Sequence, residues 1–379
     1  MKEKVFSLKK VIVIGAGILG ASAAYHLAKA GADVTVIDRK DKGQATDAAA
    51  GIVCPWLSQR RNKAWYQLVK NGARYYPKLI KKLEEDGETE TGYSRVGAIS
   101  LHQDPEKLEK MAERARKRRE DAPEIGDIEV LTPEETKALF PPLSPEYGAV
   151  YVSGGARVNG RALRNALVQG AKKNGATFIE GNAVSLIHEG NQVNGVQIEN
   201  EALQAEQVLV TGGAWSNELI HTLGKKFLVT PQKAQIVHLE MPSEDTGSWP
   251  VVMPPNNQYI LAFEQGRVVV GATHEDEAGF DGRVTAGGLQ EILTKALEVA
   301  PGLHESTHLE TRVGFRPFTP GFLPVIGSLP EFEGILLANG LGASGLTSGP
   351  YLGMELANLA LDKEVEIDLS LYDVANAVE

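Results

Sequence analysis

Three glycines near the start of the chain have the spacing of a phosphate-binding turn. Gly15, Gly17 and Gly20 follow a short apolar run and precede a helix-forming stretch. In such a turn the first glycine permits a tight bend, the second lets a phosphate approach the backbone, and the third lets the helix pack on the strand. Ile18 and Leu19 lie inside the turn, where the helix N-terminus offers unpaired N–H groups to an anion.

An acidic residue follows the glycine turn at the sequence spacing that is typical of a ribose-binding carboxylate. Asp38 lies 23 residues after Gly15 and ends the next predicted strand. A carboxylate there can accept hydrogen bonds from ribose hydroxyls, and Arg39 beside it joins the predicted site. The alternative is a carboxylate that caps a helix or a turn. The glycine turn and the acid together predict binding of an adenine dinucleotide.

The elements that position these residues form one βαβ unit. Val11–Ile14 is an apolar, β-branched run, typical of a central parallel strand. A helix is predicted over Ile18–Lys29, with Gly31 as its left-handed stop, and a second strand over Val34–Ile37.

Patterns of this α/β type return later in the chain. Val208–Val210 and Ile335–Ala338 are again buried apolar runs, and residues 159–174 and 345–361 have helical patterns. Between them, residues 227–273 have mostly a period of two, which favours antiparallel strands. We therefore predict an α/β protein with a discontinuous Rossmann-like cofactor domain and an α+β substrate domain that contains an antiparallel sheet. The predicted cofactor domain comprises residues 1–55, 143–225 and 305–379, and the substrate domain comprises residues 56–142 and 226–304.

Two helices of the inserted region have clear start signals. Asp104 precedes Pro105, and Thr132 and Glu135 have the spacing of a capping box. The first helix carries a dense run of charge over residues 107–120. A polyanion site is one interpretation of that run, but interleaved acids favour a solvated helix face.

Composition excludes several classes of protein. The chain has 379 residues, 42% hydrophobic and 23% charged, which is typical of a globular protein. Its formal net charge of −10 does not favour nucleic acid as a partner. The apolar run Val11–Ala28 is interrupted by three glycines, so we predict no membrane span. One cysteine, Cys54, cannot form an internal disulfide, and we predict a cytoplasmic protein.

Further glycine clusters later in the chain help to decide which dinucleotide is bound, FAD or NAD(H). Thr211-Gly212-Gly213 follows a buried strand, with Trp215 just beyond, and a third cluster lies at 339–347. A long cofactor needs close backbone approach at several chain-distant points, which favours FAD over NAD(H). Glycine pairs after strands are also common as simple turns.

The sequence resembles the D-amino acid oxidase and glycine oxidase family of FAD-dependent amine oxidoreductases over nearly its whole length. Five segments carry the resemblance: Val11–Gly20 with Asp38-Arg39, Gly43–Gly51, Thr211–Gly213, Gly314–Pro320 with Leu323–Gly327, and Asn339–Thr347. Relatives that attach flavin covalently use a cysteine late in the chain, where this chain has none, so the resemblance implies non-covalent FAD. It also implies cofactor contacts at Thr46, Ala49, Ala50, Gly51, Val184, Thr211, Gly212, Gly213, Trp215, Gly342, Ala343, Ser344, Gly345, Leu346 and Thr347.

The resemblance assigns two catalytic candidates. Arg316 corresponds to the family arginine that binds the substrate carboxylate, which a planar guanidinium matches with two parallel hydrogen bonds. Tyr259 corresponds to the active-site tyrosine, able to donate to the same carboxylate. The alternatives are a structural ion pair for the arginine and a packing role for the tyrosine. The chain departs from the family at Ala262-Phe263, where many members have Pro-Arg, and at Ala343, where glycine oxidases tend to have arginine.

These features predict oxidation of a small amino acid or secondary amine, with hydride transfer to flavin N5 and hydrolysis of the resulting imine. The helix that begins at Gly345 would stabilise negative charge on the flavin. The electron acceptor is oxygen or unknown. Alternatives are a dehydrogenase that passes electrons to a quinone or partner protein, a flavin subunit without turnover, and an NAD(P)-dependent enzyme.

No metal site is predicted. His304 and His308 are four residues apart, but the segment between Leu303 and Leu309 offers no third ligand. The remaining histidines are scattered along the chain.

Overall fold

The structure is a computed structural model that describes residues 8–199, 201–241 and 245–379. The helices are α1 (Ile18–Lys29), α2 (Ala45–Ala48), α3 (Lys63–Glu85), α4 (Pro105–Arg119), α5 (Pro133–Leu139), α6 (Gly160–Lys173), α7 (Ser216–Ile220), α8 (Ala286–Val299) and α9 (Gly345–Ala360). The strands are β1 (Lys10–Ile14), β2 (Asp33–Asp38), β3 (Ile52–Val53), β4 (Ala98–His102), β5 (Ile128–Leu131), β6 (Gly148–Val152), β7 (Ala156–Arg157), β8 (Thr177–Glu180), β9 (Ala183–Glu189), β10 (Gln192–Ile198), β11 (Glu201–Gln204), β12 (Gln207–Val210), β13 (Thr230–Glu240), β14 (Val251–Met253), β15 (Tyr259–Ala262), β16 (Arg267–Gly271), β17 (Thr307–Phe318), β18 (Val325–Ser328) and β19 (Ile335–Asn339).

A six-stranded, mostly parallel sheet has the order β18-β19-β12-β1-β2-β8. Its strands pair in parallel except for β18, which is antiparallel to β19. Residues 11–13 and 208–210 are buried, as expected for strands covered on both faces. The predicted Rossmann-like sheet is confirmed.

Four helices support this sheet and the turns at its edge. Helix α1 packs against α6 and α9, and α3 packs against α9. Gly31 follows α1 with a φ of +86°, as its predicted role as a left-handed stop requires. Asn159 caps α6, because its side chain accepts the backbone N–H groups of Arg161 and Ala162.

The second large sheet has eight strands in the order β17-β13-β16-β15-β14-β4-β6-β5. Its neighbouring strands pair antiparallel, apart from β14 and β4. Helix α8 packs on β13 and β16, whereas α4 and α5 pack near β5 and β6. The predicted α+β unit with an antiparallel sheet is confirmed.

Two strands lie in a different sheet from the one that the predicted domain division implies. That division placed residues 143–225 and 305–379 with the cofactor domain, yet β6 and β17 hydrogen-bond within the eight-stranded sheet. The reason is physical: alternation of apolar residues predicts a strand, but tertiary contacts decide which sheet the strand joins. The other boundaries of the division stay a prediction.

The charged run of the inserted region forms a helix with one buried face. Asp104 caps α4, and Thr132 and Glu135 form the capping box of α5, as predicted. In α4 the apolar side chains are buried and most of the charged ones are exposed. Arg118 differs, since it is half-buried and its Nη1 donates to the carbonyl oxygens of Trp56 and Ser58.

The part of the chain that the structure describes has no helix both long and apolar enough to cross a membrane. The glycine turn divides the apolar run of residues 11–28 into β1 and α1. Within the ranges 8–199, 201–241 and 245–379, no three His, Cys, Asp or Glu side chains are grouped as metal ligands.

His238 is a buried histidine on β13 that makes folding depend on pH. Neither ring nitrogen has a hydrogen-bond partner among the described residues. Burial, and then the positive charge of Arg312, lowers the pKa of His238 from 6.5 to about 3. Below pH 6.5 the unfolded chain therefore binds a proton that the folded chain does not, so stability falls as the pH drops. Between pH 7 and pH 5 we expect His238 to contribute a loss of about 2 kcal/mol to the free energy of unfolding.

Urea unfolding at the two pH values measures this effect. In His238→Leu the loss between pH 7 and pH 5 should shrink by about 2 kcal/mol, because no titrating group remains at this position. The matched control is His304→Gln, at an exposed histidine, which should leave the loss unchanged. A His238→Leu protein with the wild-type pH dependence would contradict this assignment.

Candidate active site

Residues from both large sheets line one cavity of about 780 Å³, and almost all predicted site residues are among them. These are Gly15, Gly17, Ile18, Leu19, Asp38, Arg39, Thr46, Ala49, Ala50, Gly51, Thr211, Gly212, Gly213, Trp215, Gly342, Ala343, Ser344, Gly345, Leu346 and Thr347, with Tyr259 and Arg316. Turns that are far apart in the sequence therefore line a single site.

Two predicted cofactor residues do not line the cavity. A Cβ atom at Gly20 would lie 1.9 Å from the carbonyl oxygen of Gly15, so this glycine serves close helix packing, as its predicted role requires. Val184 is 50% exposed and does not line the cavity, whereas its neighbour Ala183 does, so the contact of Val184 with the cofactor stays a prediction. Successive strand side chains point to opposite faces, so a shift of one residue changes the face.

The N-terminus of α1 is open to an anion. Gly17 precedes the helix and provides no side-chain cap, and the first turn contains no acidic residue. The backbone N–H of Ile18 donates to Oγ1 of Thr46 at 2.9 Å, which ties this turn to α2. The remaining N–H groups of the first turn and the positive end of the helix dipole favour a phosphate.

Asp38 is held at the end of β2 by three donors. Its Oδ2 accepts the N–H of Ala16 at 2.6 Å, and its Oδ1 accepts the N–H of Lys40 at 2.7 Å and Nε2 of Gln44 at 3.0 Å. Arg39 is paired with acidic neighbours, through Asp41 at 2.6 Å and Glu218 at 2.6 Å. These pairs raise the pKa of Arg39 and neutralise its charge at this end of the cavity.

The N-terminus of α9 is the second open helix end at the cavity. Ser344 precedes it without a side-chain cap, and the first turn again contains no acid. Pro350 lacks the N–H that would bind the carbonyl of Leu346, and the hydroxyl of Tyr76 donates to that carbonyl at 2.5 Å instead. This hydrogen bond from α3 fixes the first turn of α9 in place.

Arg316 is a half-buried cation without a carboxylate partner among the described residues. It lies on β17 opposite Gln232 of β13, and its Nη1 donates to Oε1 of Gln232 at 3.0 Å. Nε2 of Gln232 in turn donates to Asp276 at 2.7 Å. The structural ion pair considered from the sequence is therefore absent from the described residues, and the guanidinium keeps donors for a ligand.

Two titratable groups lie near Arg316. Burial raises the pKa of the Tyr259 hydroxyl, and the charge of Arg316 opposes this shift. The hydroxyl is thus a protonated donor at neutral pH. Burial, and then the charge of Arg316, lowers the pKa of His274, so this imidazole is neutral at pH 7.

The lining residues that were not predicted from the sequence include Arg60, Trp65, Gln232 and His274. The pair Arg60-Arg61 before the cap of α3 is a weak sequence signal for Arg60, and the position of His274 just after β16 is a weak signal for that histidine. Trp65 and Gln232 carry no local signal, because only the packing of α3 and β13 brings them to the cavity.

The two positions that depart from the family pattern, and the single cysteine, differ in how they lie relative to the cavity. Ala343 is exposed to the cavity, so this position supplies no cation. Phe263 is buried away from it, with the guanidinium of Arg157 stacked 4.8 Å from the ring centroid. Cys54 lines the cavity, and burial raises the pKa of its thiol to about 12, so it is not a thiolate nucleophile at neutral pH.

The cavity fits FAD. The open N-terminus of α1 and the glycine turn would hold the pyrophosphate, Asp38 would accept from a ribose, and the open N-terminus of α9 would face the electron-accepting ring. Arg316 and Tyr259 would then lie at the substrate side.

Comparisons with known proteins agree with this geometry. A family model described as FAD dependent oxidoreductase, DAO, matches residues 10–359. The chain is 64% identical over 372 residues to an uncharacterized oxidoreductase YurR of Bacillus subtilis (strain 168), covering 98% of this chain and 100% of that protein. It is 30% identical to glycine oxidase of Pseudomonas aeruginosa, covering 96% of this chain and 98% of that protein.

A solved structure is also similar over the whole fold. The crystal structure of iminodiacetate oxidase from Chelativorans sp. BNC1 superposes with a TM-score of 0.93 at 47% identity, covering 96% of this chain and 98% of that one. The fold, the cavity and the family match together show that the chain belongs to the DAO family of FAD-dependent oxidoreductases and is an enzyme of the amino acid and amine oxidoreductase type.

Proposed function

We propose that this enzyme oxidises a small amino acid or secondary amine that carries a carboxylate, with iminodiacetate as the first substrate to test. The observation that carries the proposal is Arg316, whose guanidinium lines the cavity and has no carboxylate partner among the described residues. Such a group binds a carboxylate through two parallel hydrogen bonds. The similarity to iminodiacetate oxidase supports a secondary amine.

Residues at the substrate side would orient the molecule rather than exchange protons with it. Arg316 would bind the carboxylate, and the Tyr259 hydroxyl would donate to one of its oxygens. Gln232 holds the guanidinium in place through its 3.0 Å hydrogen bond. His274 is neutral at pH 7 and adds no charge.

FAD, when bound, supplies the acceptor for the hydride that leaves the substrate α-carbon. The N-terminus of α9 would stabilise negative charge at that ring, and each preorganised donor of this kind contributes about 3 kcal/mol. The ammonium form of the substrate would lose one proton to solvent on binding, and the bound neutral amine would become an iminium on loss of hydride, so no side-chain base is needed. Water then hydrolyses the imine, which for iminodiacetate gives glycine and glyoxylate.

Anaerobic mixing of the holoprotein with candidate substrates tests the proposal. Loss of flavin absorbance, near about 450 nm for oxidised flavin, should follow addition of iminodiacetate or sarcosine. Glycine, proline and D-amino acids complete the series. Absence of bleaching by every member would contradict the proposal and favour a flavin subunit without turnover.

Admission of air to the reduced enzyme identifies the electron acceptor. Rapid return of absorbance with one hydrogen peroxide per substrate defines an oxidase. Persistent reduction in air, reversed by a quinone, defines the dehydrogenase alternative. We further propose that FAD is held non-covalently, so acid precipitation should release it into the supernatant, and the cytoplasmic location stays a prediction.

A further inference from the structure

The cations that line the cavity are unequally balanced by acids. The acidic residues in its lining are Asp38, Asp41 and Glu218, and the last two are paired with Arg39. Arg60 also lines the cavity, and like Arg316 it has no carboxylate partner among the described residues. The substrate side therefore presents two uncompensated guanidinium groups.

Contacts place Arg60 on the same side of the cavity as Arg316. Phe318 lies two residues after Arg316 on β17, hence on the same face, and its ring packs 5.2 Å from that of Phe322. Nη2 of Arg60 donates to the carbonyl oxygen of Phe322 at 2.5 Å. Both phenylalanines line the cavity.

A second set of contacts places Arg60 near the start of α9. Its guanidinium stacks on Trp65, 4.6 Å from the ring centroid. Nε1 of Trp65 donates to Oγ of Ser344 at 3.2 Å. Arg60 is thus held one indole ring away from the open helix end that would face the flavin, with stacking and a carbonyl fixing its orientation.

The guanidinium keeps most of its hydrogen-bonding capacity. Burial lowers the pKa of Arg60, but an arginine remains charged in proteins. Of its five N–H groups, one is used by Phe322 in the described structure. Arg60 is half-buried, so its remaining donors stay available to a ligand anion, which would compensate its charge.

A basic cleft of about 530 Å³ adjoins the cavity at Arg60 and contains no acidic lining residue. The cations in its lining are Arg60, Arg61, Lys63, Arg114 and Arg118. Positive potential of this kind raises the local concentration of anions. The charged run of α4 thereby contributes to an anion-attracting surface beside the site.

We propose that Arg60 binds a second carboxylate of the substrate, so that the preferred substrates are amines with a carboxylate group at each end. The inference rests on the proposed function, in which Arg316 binds the first carboxylate. A dicarboxylate would neutralise both guanidinium groups, whereas a monocarboxylate leaves Arg60 uncompensated. Arg60 is accordingly a specificity-determining residue.

Binding of unreactive analogues tests this role apart from turnover. Diglycolate and methoxyacetate are ether analogues of iminodiacetate and sarcosine, and calorimetry on the holoenzyme measures both. Wild type should bind diglycolate at least about tenfold more tightly. Arg60→Gln should weaken diglycolate about 10- to 100-fold and methoxyacetate less than about threefold. Arg60→Lys should restore part of the preference, because it retains the charge.

The neighbouring Arg61 provides the matched control, since it lines the cleft but not the cavity. Arg61→Gln should retain the preference for diglycolate. Loss of that preference in Arg61→Gln, equal weakening of both ligands in Arg60→Gln, or no preference in wild type would each overturn the proposal. A wild type with the predicted preference that oxidises no amine contradicts the proposed function and leaves the Arg60 site supported.

Discussion

Replacing Arg316 by methionine is expected to lower kcat/KM for a carboxylate-bearing amine by about 1,000-fold. The guanidinium has no acid among the described residues to compensate it, so its free donors are available to the substrate. Loss of a bidentate, charge-assisted pair removes both the binding energy and the orientation of the α-carbon. Steady-state kinetics with iminodiacetate, together with the FAD content of the variant, measure the effect.

A conservative variant of Arg316 and a variant outside the cavity separate the loss of carboxylate binding from a general disturbance of the fold. Arg316→Lys keeps the charge but not the planar fork, so a loss of about 10- to 100-fold is expected. Arg267→Met removes an arginine from β16 of the same sheet, outside the cavity, and should change kcat/KM less than about twofold. An Arg316→Lys enzyme with normal affinity for its amino acid would show that the carboxylate binds elsewhere.

Gly15→Ala is expected to weaken FAD binding at least about 100-fold. Gly15 adopts a φ of +97°, and a Cβ there would lie 2.7 Å from the carbonyl oxygen of Thr211. Relief of that contact must move the turn after β1 or the turn after β12, and both turns line the cavity. Titration of the apoprotein with FAD, followed by flavin fluorescence, gives the dissociation constant.

Gly31 offers a control with nearly the same backbone conformation. Its φ is +86°, but a Cβ there would have no neighbour within 4 Å. Gly31→Ala should therefore cost about 1 kcal/mol of stability and bind FAD like wild type. If Gly15→Ala retained wild-type FAD affinity, or if Gly31→Ala lost FAD to the same degree, the steric explanation would be wrong.

The elements at the phosphate end could be predicted because their signals are local. The apolar run at Val11–Ile14, the glycine spacing and the stop at Gly31 each act within a few residues, and β1 and α1 form where expected. Asn159 and Thr132 likewise start helices through hydrogen bonds to residues two or three positions away.

Features that depend on tertiary contacts could not be predicted in this way. Arg60 and Arg61 are adjacent and chemically identical, yet only Arg60 reaches the cavity, because Phe322 and Trp65 hold it there. The membership of β6 and β17 in the eight-stranded sheet depends on partners far along the chain. Arg316 was identified by resemblance, but its lack of an acidic partner is visible only in the structure.

The central claim is that turns far apart in the sequence bind one FAD, and that Arg316 beside it selects amines that carry a carboxylate. Anaerobic absorbance of the purified holoenzyme, near about 450 nm, tests it most directly with sarcosine and dimethylamine, which differ by a carboxylate. We predict yellow protein with one tightly bound FAD per chain, bleached by carboxylate-bearing amines and unaffected by dimethylamine. Colourless protein that cannot be reconstituted with FAD, or equal bleaching by dimethylamine, would contradict the account.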